Sequence, residues 1–114
     1  DDFKVSDKKT EAPKDTIIKD LKITVRKLTK EDIKIRKLPN QISGLVITQI
    51  GNTSPLKKSI EANSIIVEAQ KTKIKTAQDL EKIVKDVLKS NQKTILLAIY
   101  NNQNQRRYIG VKLD

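Results

Sequence analysis

GLVITQIGNTSPLKKSIEANSIIVEAQKTKIKTAQDLEKIVK, residues 44–85, changes its hydrophobic period twice, and those changes decide the fold. LVITQI (45–50) is a short apolar run led in by Ser43-Gly44 and closed by Gly51-Asn52, the pattern of a strand. Turn residues follow in GNTSP (51–55): Gly51 and Asn52 tolerate left-handed backbone, and Ser54-Pro55 suits the entry to one helical turn, LKKS. NSIIVEAQ (63–70) reads as the next strand, and KTKIKT (71–76) as a connection in which Ile74 alone asks for burial. The period then becomes helical over 76–90. Thr76 stands at the N-cap, Asp79 at the capping-box position, and Leu80, Ile83, Val84, Val87 and Leu88 share one face.

Upstream, DLKITVR (20–26) alternates Leu21, Ile23 and Val25 with Lys22, Thr24 and Arg26, and the β pattern extends from Thr16 to Leu28. In LTKEDIKIRKLP (28–39), Thr29 followed by Asp32 predicts a capped short helix from Lys30 to about Lys37, ended before Pro39 and a Pro39-Asn40 turn. Downstream, KTILLAIY (93–100), the NNQN turn and RRYIGVKL (106–113) predict a β-hairpin. The order is strand, short helix, strand, helical turn, strand, long helix, strand, strand. It predicts an α+β domain: a small antiparallel sheet or partial β-barrel with one long and one or two short helices. Residues 1–15 carry five acidic and four basic residues and little to bury, so they read as a flexible charged linker or tail, leaving 16–114 as one domain.

The chain has 114 residues, 36% of them apolar, and only three aromatic residues: Phe3, Tyr100 and Tyr108. Its core must therefore be Ile, Leu and Val. No run approaches a membrane span. The sequence opens on Asp and shows no secretory signal, which reads as an excised piece of a longer protein. The absence of cysteine excludes disulfides and thiolate metal sites, and the absence of histidine excludes imidazole bases and a Ser-His-Asp arrangement. The three glycines, Gly44, Gly51 and Gly110, are isolated and form no phosphate loop. The expectation is a noncatalytic fragment without catalytic residues, metal or other cofactors. A net charge of +10 raises nucleic acid or an anionic surface as partner. Against that stand 20 lysines to four arginines (Arg26, Arg36, Arg106, Arg107), because lysine lacks the bidentate fork, and there are few rings for base stacking.

The 44–85 stretch resembles the PDZ domains of bacterial HtrA/Do (DegP-like) serine proteases. Gly44-Leu45-Val46-Ile47 matches the family's opening strand, Asn52-Thr53-Ser54-Pro55 its turn, Ile65-Ile66 its Ile-rich strand, and Thr76-Ala77-Gln78-Asp79-Leu80 its helix start. Arg26, Leu28, Thr29 and Glu31 match the second, C-terminal PDZ domain of that family. Asn63-Ser64 replaces the family's Gly-Asp, and Gln70-Lys71 its Asn-Gly turn.

The resemblance implies a domain of a periplasmic or cell-envelope protease that serves oligomer assembly, regulation or substrate tethering, with other domains or subunits of the parent as partners. It also implies that unfolded or C-terminal peptides can add by β-augmentation to a strand facing the long helix. Carried over, the peptide-binding residues are Asp20, Leu21, Lys22, Ile23, Thr24, Val25, Ala77, Glu81 and Val84. In the carboxylate loop, Lys22 stands where the family has glycine. A Cβ there restricts the backbone, Asp20 repels an anion, and Lys19 and Lys22 offset the repulsion. The expectation is a degenerate carboxylate loop. Two alternatives stay open: Leu21, Ile23, Leu80 and Val84 line a groove or are simply core, and Lys22 and Arg26 attract a partner or guard a sheet edge.

Overall fold

The fold is taken from a computed structural model that describes residues 15–39, 42–91 and 93–113. The expected 1–15 tail lies outside it except for Asp15. Among the described residues, nine elements run in chain order: β1 (Thr16–Ile18), β2 (Ile23–Lys27), α1 (Lys30–Arg36), β3 (Leu45–Ile50), β4 (Ile65–Ala69), β5 (Thr72–Lys73), α2 (Ala77–Lys89), β6 (Thr94–Tyr100) and β7 (Arg106–Lys112). The strands make one open antiparallel sheet in the order β1-β2-β3-β4-β6-β7, with β5 paired to β4. It is an α+β, PDZ-like sheet, open rather than a partial barrel.

Both faces of the central strands are buried, which is why LVI, IIV and ILLAI read as unbroken apolar runs rather than alternations. Leu45, Ile47, Ile66, Leu97 and Ile99 point to the larger core, where Leu80, Val84 and Val87 of α2 close over them. Val46, Ile65, Val67 and Ala98 point the other way, into a smaller core closed by Leu28, Leu38 and Ile33 of α1. Gly44 sits where a Cβ would lie 2.5 Å from the Ile66 carbonyl oxygen, so the chain entering β3 approaches β4 too closely for any side chain.

Both helix starts follow their sequence signatures. Thr29 caps α1 and Thr76 caps α2, each with a complete capping box closed by Asp32 and Asp79. α1 ends at Lys37 in the left-handed region, ahead of Pro39. The expected helical turn at LKKS is a single wound turn, in which the Ile60 N–H donates to the Leu56 carbonyl at 2.9 Å.

Two expectations are corrected. The continuous β segment from Thr16 to Leu28 is two strands, β1 and β2, which fold against each other as a hairpin around residues 19–22. A straight strand cannot bury both Ile18 and Leu21, which lie an odd number of residues apart, yet both are fully buried. The chain resolves that conflict by turning. The second correction concerns KTKIKT: it contains the short strand β5 beside β4, although Ile74 is its buried residue as expected.

Candidate functional site: the loop at the head of β2

The strand nominated to receive a peptide is β2, with α2 opposite. One edge of β2 pairs with β3 and the other with β1, in the register Thr16↔Val25, Ile17↔Thr24 and Ile18↔Ile23. α2 packs on β1, β2 and β6. The edge of β2 on the α2 side, where an added strand would lie, is thus taken by the chain's own residues 16–18. Ile18 is 1% exposed and shares the core with Leu21, Ile23, Leu80 and Val84, whereas Ile17 on the opposite face is 62% exposed.

The turn that joins the two strands is the nominated carboxylate loop. Its N–H groups are engaged: Leu21 donates to the Ile18 carbonyl at 3.1 Å and Lys22 to the Lys19 carbonyl at 3.2 Å. Lys22 has φ 55, the left-handed conformation that glycine adopts without penalty, so the loop keeps the backbone shape expected of glycine at a cost to lysine. A second turn holds it from outside. The Gly51 N–H donates to the Lys22 carbonyl at 2.8 Å, and the buried Ser54 hydroxyl donates to the Leu21 carbonyl at 2.5 Å while accepting from the Leu56 N–H at 3.1 Å. A Cβ on Gly51 would lie 2.9 Å from the Lys22 carbonyl oxygen, so the two turns meet through a glycine.

Among the nominated residues, Leu21, Ile23, Val25 and Val84 come together in one core, with Ala77 packed at its margin. Asp20 and Lys22 are exposed on the turn, while Thr24 and Glu81 are half-buried. Leu21 belongs to the turn rather than to the strand. Arg26 forms a two-pronged ion pair with Asp32, Nη1 to Oδ2 at 2.7 Å and Nη2 to Oδ1 at 3.0 Å, which ties β2 to the first turn of α1. Asp32 also accepts from the Thr29 backbone N–H and hydroxyl, each at 2.9 Å. The hydrogen bonds from Arg26, ahead of those from Thr29, hold the Asp32 carboxyl down at about 2. The structural role of Arg26 is therefore a strap to α1.

Sequence reasoning missed Arg36. From α1 it donates to the Asn104 side-chain oxygen at 2.6 Å, the Asn63 carbonyl at 2.8 Å and the Asn101 carbonyl at 2.9 Å, joining two turns far apart in the chain. Burial lowers its affinity for the proton, since these three acceptors are neutral. No local signal announces such a hub, because its partners, two main-chain carbonyls and one asparagine side chain, are brought near by the fold. At the other edge of the sheet, Arg106 bonds Glu68 at 3.2 Å and lies 5.9 Å and 5.5 Å from the ring centres of Tyr100 and Tyr108. Ser64 is fully buried, and its hydroxyl meets no hydrogen-bond partner among the described residues. No group of three or more Asp or Glu side chains is placed to hold a metal among the described residues, and no helix there is long and apolar enough to cross a membrane.

A strand edge facing a helix across an apolar seam, with a backbone loop at its head, defines a PDZ-like domain. Among solved structures, one described as "HtrA-type protease AlgW with decapeptide" is similar to this chain, with a TM-score of 0.61 and 15% identity. That match covers 81% of this chain and 27% of the solved one, so this chain spans about a quarter of its length. No family model matches the sequence, and no curated protein does.

Proposed function

We propose that this chain is a noncatalytic PDZ-like domain of an HtrA/Do-type serine protease of the periplasm or cell envelope. It acts through protein–protein contacts, with other domains or subunits of the parent protease as partners, in oligomer assembly, regulation or substrate tethering. The observation that carries this choice over peptide capture is the engaged state of the carboxylate loop: the Leu21 and Lys22 N–H groups already bond main-chain carbonyls. The motif spacing and the similarity to an HtrA-type protease support the assignment to that kind of parent. In the parent protein, removing residues 16–114 is expected to change the oligomer mass measured by light scattering, or the rate of cleavage of an unfolded substrate. Unchanged mass and rate would remove this reading.

A second reading, active capture of hydrophobic C-termini by β-augmentation, is favoured by the left-handed Lys22, which preserves the loop shape despite the loss of glycine. Titration with such peptides would then move the amide signals of residues 20–25 and 77–84. Silence across a diverse peptide set argues for domain contacts alone.

A further inference from the structure

We infer that Thr16–Ile18 is a displaceable internal ligand, and that the seam between β2 and α2 is held shut by the chain itself. Three features of β1 match what an added peptide would do there. It runs antiparallel to β2, and its alternate side chains divide as a bound strand's do: Ile18 goes into the core beside Leu80 and Val84, and Ile17 goes to solvent. Its last carbonyl, that of Ile18, receives the Leu21 N–H at 3.1 Å, the place a terminal carboxylate oxygen would occupy. The Lys22 N–H is occupied only by the neighbouring Lys19 carbonyl, at 3.2 Å, so withdrawing residues 16–19 frees both donors together.

β1 has only three residues and, among the described residues, lies at the sheet edge, with a single fully buried side chain. It is therefore weakly bound to the rest of the sheet. The occupant that fits the vacated seam is an extended segment with an aliphatic residue at the Ile18 position and a carboxylate at or beyond it. Lys19 and Lys22, exposed on the turn, add positive charge at that end. A peptide in trans must compete with the tethered strand, so its apparent affinity is the intrinsic affinity multiplied by the fraction of molecules in which the seam is open.

The probe is the pentapeptide Lys-Asp-Thr-Ile-Ile, the sequence of residues 14–18, with a free C-terminus, titrated into the whole 114-residue chain and followed by the amide signals of Ile23–Lys27. Ile18→Asp, which cannot keep β1 in the core, is expected to bind the probe at least tenfold more tightly than the unaltered chain. Ile18→Ala is the milder variant if the aspartate impairs folding, with an expected gain of at least twofold. Ile17→Cys with Thr24→Cys places a disulfide across a directly opposed pair in a chain that has no other cysteine. Oxidised, this variant is expected to lose the response; reduced, to regain that of the unaltered chain. Folded Ile18 variants that bind no better than the unaltered chain overturn the inference, as does equal binding by the oxidised form. The domain contacts proposed above are read in the parent protein, so they stand or fall independently of this result.

Discussion

Acid should weaken this domain through one carboxylate in particular. Asp32 titrates at about 2 rather than near its ordinary 3.8, because Arg26 and then Thr29 hydrogen-bond its ionised form. A carboxyl whose folded-state value is depressed contributes stability that is fully present above the ordinary value and is lost as the pH falls from about 4 towards 2. Each pH unit of displacement corresponds to about 1.4 kcal/mol, which sets a ceiling near 2.5 kcal/mol. The side chains of Arg26 and Asp32 are 26% and 18% exposed, so solvent screening brings the expectation to about 1–2 kcal/mol. Asp32→Asn keeps the shape and removes the charge. Unfolding free energies from urea titration of the two proteins are expected to differ by that amount at pH 6 and to converge as the pH falls below about 2. A gap that stays constant across the range would refute the reasoning, since it would mean that Asp32 acts by shape alone.

Arg36→Ala should cost about 1–2 kcal/mol in a urea titration, because it removes the donor of the exposed Asn63 carbonyl and one of two donors of the Asn101 carbonyl, which keeps the Asn104 N–H. Arg36→Lys should recover less than half of that, since an ammonium cannot span the three acceptors of the fork. Lys22→Gly relieves a left-handed residue, a gain of about 1–2 kcal/mol offset by about 0.5–1 kcal/mol of extra freedom in the unfolded chain; thermal denaturation should show a small net stabilisation. Ser64→Ala removes a buried hydroxyl that meets no partner among the described residues, so its unfolding free energy should stay the same or rise, and a loss above about 1 kcal/mol would refute that reading.

Local chemistry was legible in the sequence wherever it acts locally. Thr29 with Asp32 and Thr76 with Asp79 marked both helix starts, and the runs at 45–50, 63–70 and 93–100 marked three strands, which the fold buries on two faces. The turn at 19–22 was harder to read. Its residues, Lys-Asp-Leu-Lys, include a single common turn former, and the alternation in DLKITVR looked continuous from upstream. The usable clue was the odd spacing of Ile18 and Leu21, two apolar residues that one strand cannot point the same way.

Glycine was a poor guide to backbone shape. None of the glycines among the described residues has positive φ, while Lys22, Lys37, Asn63, Gln70, Lys71, Lys93 and Asn104 do. The replacements at Lys22, Asn63 and Gln70-Lys71 read as departures from the family pattern, yet each keeps the left-handed geometry. Arg36 was invisible because its partners are oxygens brought near by the tertiary fold, and Ser54, legible as a turn residue, gave no sign of its bond to the distant Leu21 carbonyl.

The tyrosines flanking Arg106 decide what light can report about this protein. Tyr100 and Tyr108 are the only aromatic residues among those described, and both belong to the β6–β7 hairpin at the sheet edge away from β1. Tyrosine emission and the tyrosine bands of near-ultraviolet dichroism therefore sample one border of the described structure. Release of the first strand would leave both signals nearly unchanged while amide exchange along β2 rose, so an optically flat titration is what an opening seam should look like.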